Sequence, residues 1–219
     1  MIKGEILQLR ALEKNDLAFL HELHNNYKTM NYFFEEPYET TRELEDLFEK
    51  HIHNQTERRF LIQEVITGHP VGVLSLMEID EINRKCEIDI IIHDKFQGQG
   101  FGKQGFVLGV KYAFDILNLE KVYLLLLPGN TPGMKIYEYV GFKKECRLRK
   151  EYFVNGEYVD VQRMCMFRTQ WVRQRGRLQC DVGFDSFVAK TVARSRRDVP
   201  KMPPEAVPTM TLMEVVKAA

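Results

Sequence analysis

The stretch "DKFQGQGFGKQG", residues 94–105, sets the first limit on what this chain can fold into. Four glycines, Gly98, Gly100, Gly102 and Gly105, fall within eight positions. Glycine at that density marks backbone that must turn sharply or approach something closely. The apolar run "KCEIDIIIH" (85–93) before it reads as a strand. The run after it, "FVLGVKYAFDILN" (106–118), reads as a helix, because Phe106, Val107, Val110, Phe114 and Leu117 recur at helical spacing. A strand, a glycine loop and a helix in that order make a cradle for an anion. Successive N–H groups converge on it, and the helix adds its positive end.

Three phosphate-binding patterns compete for this loop. The nucleotide pattern GxxxxGK[ST] fails, because Lys103 is followed by Gln104 and no glycine stands five residues before Gly102. The dinucleotide fingerprint GxGxxG is met literally by "GFGKQG" (100–105). It also requires an acidic residue at the end of the next strand, and "KVYLLLL" (121–127) ends in Pro128-Gly129 instead. The third pattern, Gln/Arg-x-x-Gly-x-Gly/Ala, is met by "QGQGFG" (97–102). In this context it resembles the pyrophosphate loop of the GCN5-related N-acetyltransferases, which bind acetyl-coenzyme A. A glycine-rich turn with no ligand is the plain alternative. Asn130 and, seven residues later, Tyr137 in "IYEYVGF" (136–142) resemble the Asn and Tyr that follow the splayed strand in that family. The resemblance makes Tyr137 the acid that protonates the departing thiolate. The alternative is a core aromatic of a short helix.

The remaining pattern fits an α/β chain of α+β type. "EILQLRAL" (5–12), "RRFLIQEV" (58–65) and "PVGVLSLMEI" (70–79) read as strands, the last two joined as a hairpin through "TGHP" (67–70). Helices are expected over 15–27, capped by Asn15 or Asp16, from Thr40 or Thr41 onward, and over 131–142 with Gly141 as its terminus. A hairpin is expected over 147–167 around Asn155-Gly156. After Trp171 no period is sustained, and prolines stand at 200, 203, 204 and 208. Residues 1–171 are therefore read as the folded domain. Residues 172–219 are read as a poorly ordered extension with nothing to add to the core.

Charge is balanced at 31 Lys+Arg against 31 Asp+Glu, so no overall field marks a nucleic-acid binder. The balance hides 9 basic and 5 acidic residues in 172–219. Cys86, Cys146, Cys165 and Cys180 have no metal-site spacing. With no signal-like or membrane-length apolar run, the expected setting is cytoplasmic.

A closer resemblance covers residues 5 to 171. "LRALEKNDLAFLHEL", "FFEEPYET", "HIHN", "RRF" and "VNGEYVDVQRM" together are similar to the bacterial spermidine/spermine N-acetyltransferases. The expected fold is then a mixed central sheet flanked by helices, with a splayed strand pair holding acetyl-coenzyme A. The residue chemistry agrees. A polyamine is a flexible multi-cation, and "YFFEEPYE" offers Tyr32, Phe33, Phe34, Glu35, Glu36 and Glu39 for ionic and cation–π contact. Glu87 among isoleucines is costly unless it meets a cation.

Carried over by resemblance, Met30, Glu35, Glu36, Glu43, His51, Ile52, His53, Asn54, Glu87, Ile88 and Asp89 contact the polyamine. Ile90, Ile91, Ile92, Gln97, Gly98, Gln99, Gly100, Phe101, Gly102, Lys103 and Asn130 contact acetyl-coenzyme A. The resemblance further implies an allosteric polyamine site between subunits of a homo-dodecamer, and a divalent cation such as magnesium by Glu35 and Glu78. An acidic loop and a solvated helix face are the plain readings of the same glutamates. Departures include Phe33 where the family often has Trp, and Gly129 and Gly133 where it tends to Glu and Ala. Gly133 is expected to weaken its helix by about 1 kcal/mol against Ala. Acetylation of another amine, a ribosomal protein N-terminus or an aminoglycoside, is the alternative activity. A non-catalytic sensing module for acetyl-coenzyme A or polyamine is the alternative class.

Overall fold

The strand-rich middle of the sequence closes into one mixed sheet. The structure is a computed structural model. It describes residues 2–30, 32–33, 36–51, 54–154 and 156–181, apart from the side chains of residues 51 and 179–181. All of them lie in one compact unit, residues 1–185. The strands are β1 (Ile2–Lys3), β2 (Leu7–Ala11), β3 (Arg58–Glu64), β4 (Pro70–Asp80), β5 (Lys85–Ile92), β6 (Lys121–Leu126), β7 (Lys143–Val154) and β8 (Glu157–Phe167). Their spatial order is β1-β2-β3-β4-β5-β6-β8-β7. The expected β3–β4 hairpin forms, and β5 continues the antiparallel run.

One pairing differs from all the others. β5 and β6 run parallel and pair only over Lys85–Glu87 and Lys121–Tyr123. Beyond Glu87 the strands part, and β6 continues against β8 as far as Leu126. This is the splayed pair expected from the resemblance.

Period-two alternation sends β5 residues to opposite faces. Cys86 and Ile88 join a large core with Phe106, Val110, Phe114, Tyr137 and Trp171. Ile91 joins a smaller core with Leu17, Leu20, Leu23, Met30 and Leu44. The first core is covered by α4 (Phe101–Lys111), α5 (Thr131–Val140) and α6 (Arg168–Asp181). The second is covered by α1 (Leu17–His24), α2 (Tyr27–Met30) and α3 (Thr41–His51).

Several helices depart from expectation. The helix expected over 15–27 is broken into a 3-10 turn at Lys14–Asp16, then α1, then α2. Asn26 causes the second break, since its Oδ1 accepts the N–H groups of Lys28 (3.0 Å) and Thr29 (3.3 Å). Helix α3 opens as expected through a capping box. Thr40 N–H donates to Glu43 Oε2 at 2.8 Å, and Glu43 N–H donates to Thr40 Oγ1 at 3.2 Å. Helix α4 begins at Phe101, five residues before the expected start, inside the glycine stretch. The glycines there serve close packing as well as turning. A Cβ on Gly105 would fall 3.1 Å from Ile62 on β3.

The largest correction concerns the boundary after Trp171. Helix α6 runs through it to Asp181, and Trp171 and Leu178 are fully buried. Trp171 Nε1 donates to Asp115 Oδ1 at 2.8 Å. Arginines at 173, 175 and 177 hid the helix, because two apolar anchors in a polar run leave no visible period. Residues 182–219 lie outside the described residues.

Candidate active site

Where β5 and β6 part, a cleft of about 580 Å³ opens. Its walls come from β5 (Glu87, Ile88, Asp89, Ile90, Ile91, Ile92), the glycine loop (Gln97, Gly98, Gly100) and the first turn of α4 (Gly102, Lys103). Asn130, Ile136 and Tyr137 contribute from α5 and its cap. Among the described residues no strand fills the gap beside β5 here, so β5 offers backbone and side chains to a ligand.

The loop geometry suits a pyrophosphate. Gly98 and Gly100 have φ of +76° and +86°, and nothing lies within 4 Å of where a Cβ would stand on either. The positive φ favours glycine, and the open space leaves the backbone clear for a ligand to approach. Gln104 N–H is bonded to Gly100 O, so the N–H groups of Phe101, Gly102 and Lys103 precede the first intrahelical bond and are left for a ligand. The side chains around the loop hold it in shape. Gln97 Nε2 donates to Ile92 O at 2.9 Å, and Gln99 Nε2 to Lys95 O at 3.0 Å. Phe101 packs into the core rather than into the cleft. Asn130 lines the cleft and caps α5, its Oδ1 accepting Gly133 N–H at 2.9 Å. A Cβ on Gly133 would sit 2.9 Å from that amide, so the expected gain from Ala is offset by loss of the cap.

Tyr137 is buried against Phe106, with ring centroids 4.9 Å apart. Burial first, then the charge of Asp89, pushes its hydroxyl well above the ordinary tyrosine value. The phenol therefore keeps its proton at all working pH. Tyr139 faces elsewhere, between Lys103 and Arg177.

Glu87 and Asp89 stand two apart on β5 and both face the cleft. Burial, reinforced by the like charges of Glu78 and Asp89 and opposed by Arg163, pushes the Glu87 carboxyl up to about 7. Asp89 Oδ1 accepts Ser75 N–H at 3.2 Å. Glu78 has a positive φ of 50° at a bulge in β4. Its carboxylate accepts the Tyr123 hydroxyl, over whose ring the Arg163 guanidinium stacks at 3.8 Å.

The remaining expected site residues are dispersed. Met30 is buried in the smaller core, and Glu43 is engaged in the α3 capping box. Asn54 lines a second cavity of about 480 Å³ between α1, α3 and β3, beside the His24–Glu39 pair. Glu36 is exposed and lines neither cavity. Glu35, Ile52, His53 and the His51 side chain lie outside the described residues, so the Glu35 half of the expected cation site does too. Among the described residues no group of three or more His, Cys, Asp or Glu is placed to hold a metal.

Two residues of the site carry no advance signal in the sequence. Tyr152 reaches the cleft from β7, remote in sequence from the aromatic loop that supplies Tyr32 and Phe33. His93 is buried directly before the loop, its Nε2 3.1 Å from Glu22 Oε1 and its Nδ1 2.8 Å from Asp94 Oδ1. It ties the loop to α1. A lone His at a strand end announces neither partner.

A glycine cradle at a helix start, a parted parallel pair and a buried tyrosine at the gap define an acyl-coenzyme A transferase site. The chain belongs to the acetyltransferase (GNAT) domain family, whose model matches residues 7–143. Among its relatives, it is 42% identical over 174 residues to the spermidine N(1)-acetyltransferase of Escherichia coli strain K12, covering 80% of this chain and 92% of that one. It also resembles the crystal structure of Vibrio cholerae spermidine N-acetyltransferase in complex with CoA and spermine. That match has 43% identity and a TM-score of 0.73, and covers 76% of this chain and 98% of that one. A structure of the Vibrio cholerae enzyme with manganese ions matches at 42% identity and a TM-score of 0.68, over 77% of this chain and 96% of that one. No helix among the described residues is long and apolar enough to cross a membrane.

Proposed function

We propose that the protein transfers an acetyl group from acetyl-coenzyme A to an amine of spermidine or spermine. The observation that carries this reading is the meeting, in one cleft, of open glycine backbone, the carboxylates Glu87 and Asp89, and the buried Tyr137 hydroxyl. Acetyl-coenzyme A supplies the activated thioester. Gly98, Gly100 and the first N–H groups of α4 bind its pyrophosphate, and the parted edge of β5 at Ile90–Ile92 receives its pantetheine arm.

Asp89 and the aromatic rings of Tyr32, Phe33 and Tyr152 hold the polyamine's cations. Glu87, poised near neutral pH, takes the proton that the attacking ammonium must lose. The amine nitrogen then bonds to the acetyl carbon, the C–S bond breaks, Tyr137 gives its proton to the sulfur, and the surplus proton on the new amide nitrogen returns to the Tyr137 phenolate. Burial is the main cause of Tyr137's weakness as an acid, and a bound cation at Asp89 offsets the lesser contribution of that carboxylate's charge. No step is assigned to a divalent cation, although Glu78 with Glu35 is retained as its proposed seat.

The finer features rest on the resemblance carried by the sequence motifs. The chain acts as a cytoplasmic homo-oligomer, a dodecamer by resemblance. Polyamine also regulates it through Glu35, Glu36, Glu43 and residues 51–54, of which Asn54 lines the second cavity. Thiol release from acetyl-coenzyme A, followed with spermidine, spermine, a ribosomal N-terminal peptide and an aminoglycoside, tests the activity. Turnover confined to the polyamines supports it, and turnover of only the peptide or the aminoglycoside refutes it.

A further inference from the structure

We propose that Lys103 and Arg177 together seat the phosphomonoester at the outer end of the coenzyme, so that the last helix, α6, completes the acetyl-coenzyme A site. The proposal rests on the acetyl-coenzyme A reading above. Tyr137 marks the inner, reacting end of the cleft, and the glycine loop marks the middle. Lys103 is the cleft residue on the far side of that loop, in the first turn of α4. Its Nζ lies 4.6 Å from the centre of the Tyr139 ring. The Arg177 guanidinium lies 5.0 Å from the same centre. Two cations from separate helices are thus gathered on one ring, within about 10 Å of each other.

Neither cation forms an ion pair with a carboxylate among the described residues. Arg177 donates to Tyr139 O at 3.0 Å and to Gln174 Oε1 at 3.4 Å, and both acceptors are neutral. Those bonds orient the guanidinium without cancelling its charge. Each therefore keeps a positive charge available to an anion, and the ligand read into the cleft carries a dianionic phosphate on its adenosine ribose. The seat is firm because α6 is firm. Trp171 and Leu178 are fully buried, and Gln174 packs over Gly141, where a Cβ would fall 2.5 Å from it.

The simpler role for Arg177 is a clasp on the end of α5, and the experiment separates the two. Binding of coenzyme A and of 3′-dephospho-coenzyme A to the full chain is measured by calorimetry for wild type, Arg177→Gln, Arg177→Lys and Lys103→Gln. Wild type is expected to prefer coenzyme A by about tenfold, the sum of two solvent-screened ion pairs. Arg177→Gln and Lys103→Gln should each cut that preference about threefold by weakening coenzyme A alone, while Arg177→Lys keeps most of it. An unchanged preference in both glutamine variants overturns the proposal. So does equal weakening of both ligands, which is the signature of the clasp. Wild type binding both ligands equally sinks this proposal alone, whereas wild type binding neither sinks the coenzyme reading with it.

Discussion

Replacing Glu87 by Gln should make the protein more stable and nearly inactive at once. The substitution keeps the shape and removes the charge. In the fold the Glu87 carboxyl is raised from 4.5 to about 7, chiefly by burial and then by the charges of Glu78 and Asp89. At about 1.4 kcal/mol per tenfold, that rise has a ceiling of about 3 kcal/mol. Partial exposure to solvent reduces it to about 1–2 kcal/mol. The sign follows from the direction. A carboxyl whose folded value is raised favours the fold while protonated, and its contribution is lost as pH climbs from about 4.5 through about 7. Gln suffers no such loss. The melting temperature of the variant should therefore match wild type near pH 4.5 and exceed it by about 2–6 °C at pH 8. Turnover of spermidine should fall by about 10²–10⁴ at pH 8, and the rise of wild-type rate through pH 7 should disappear. Scanning calorimetry and thiol release across pH 5–9 read both effects. A melting difference that does not change with pH would show that the buried charge carries no cost. Wild-type turnover in the variant would remove Glu87 from the proton path.

Other changes test neighbouring parts of the site. Tyr137→Phe should lower turnover by about 10²–10⁴ with coenzyme A affinity held, whereas Tyr139→Phe, which keeps the ring under Lys103 and Arg177, should leave turnover near wild type. Equal losses would move the fault to packing of α5. Gly100→Val imposes a branched side chain at a φ of +86° and should abolish calorimetric binding of coenzyme A while circular dichroism stays native. Leu178→Ala should cost about 2–5 kcal/mol in urea unfolding, since the side chain is fully buried. A loss under 0.5 kcal/mol would return α6 to the status of a passive tail. Gly133→Ala should bring no gain in melting temperature, because its Cβ meets the Asn130 cap, and a gain of several degrees would show that the cap is dispensable.

What could be read from the sequence was whatever depends on neighbours along the chain. The glycine spacing of 98–102 dictates an open backbone before a helix, because glycine alone takes left-handed positions without steric cost. The Thr40–Glu43 box and the Gly141 terminus are local for the same reason. Alternation in 85–92 placed Glu87 and Asp89 on one face of a strand. Tertiary structure decided the rest, through contacts between residues far apart in the chain. Only the short pairing of β5 with β6 shows where the sheet opens, and hence that these two carboxylates meet Tyr137 in one cleft. The elevation of Glu87 needs Glu78 from the β4 bulge and the exclusion of water, neither of which has a sequence signature. Tyr152 enters the cleft from a hairpin at the sheet edge, and Arg177 reaches Tyr139 on α5 from a helix whose two buried anchors, Trp171 and Leu178, stand among arginines. Periodicity reports a face only where many residues share it, so a helix fastened by two side chains becomes visible only when the core that receives them has formed.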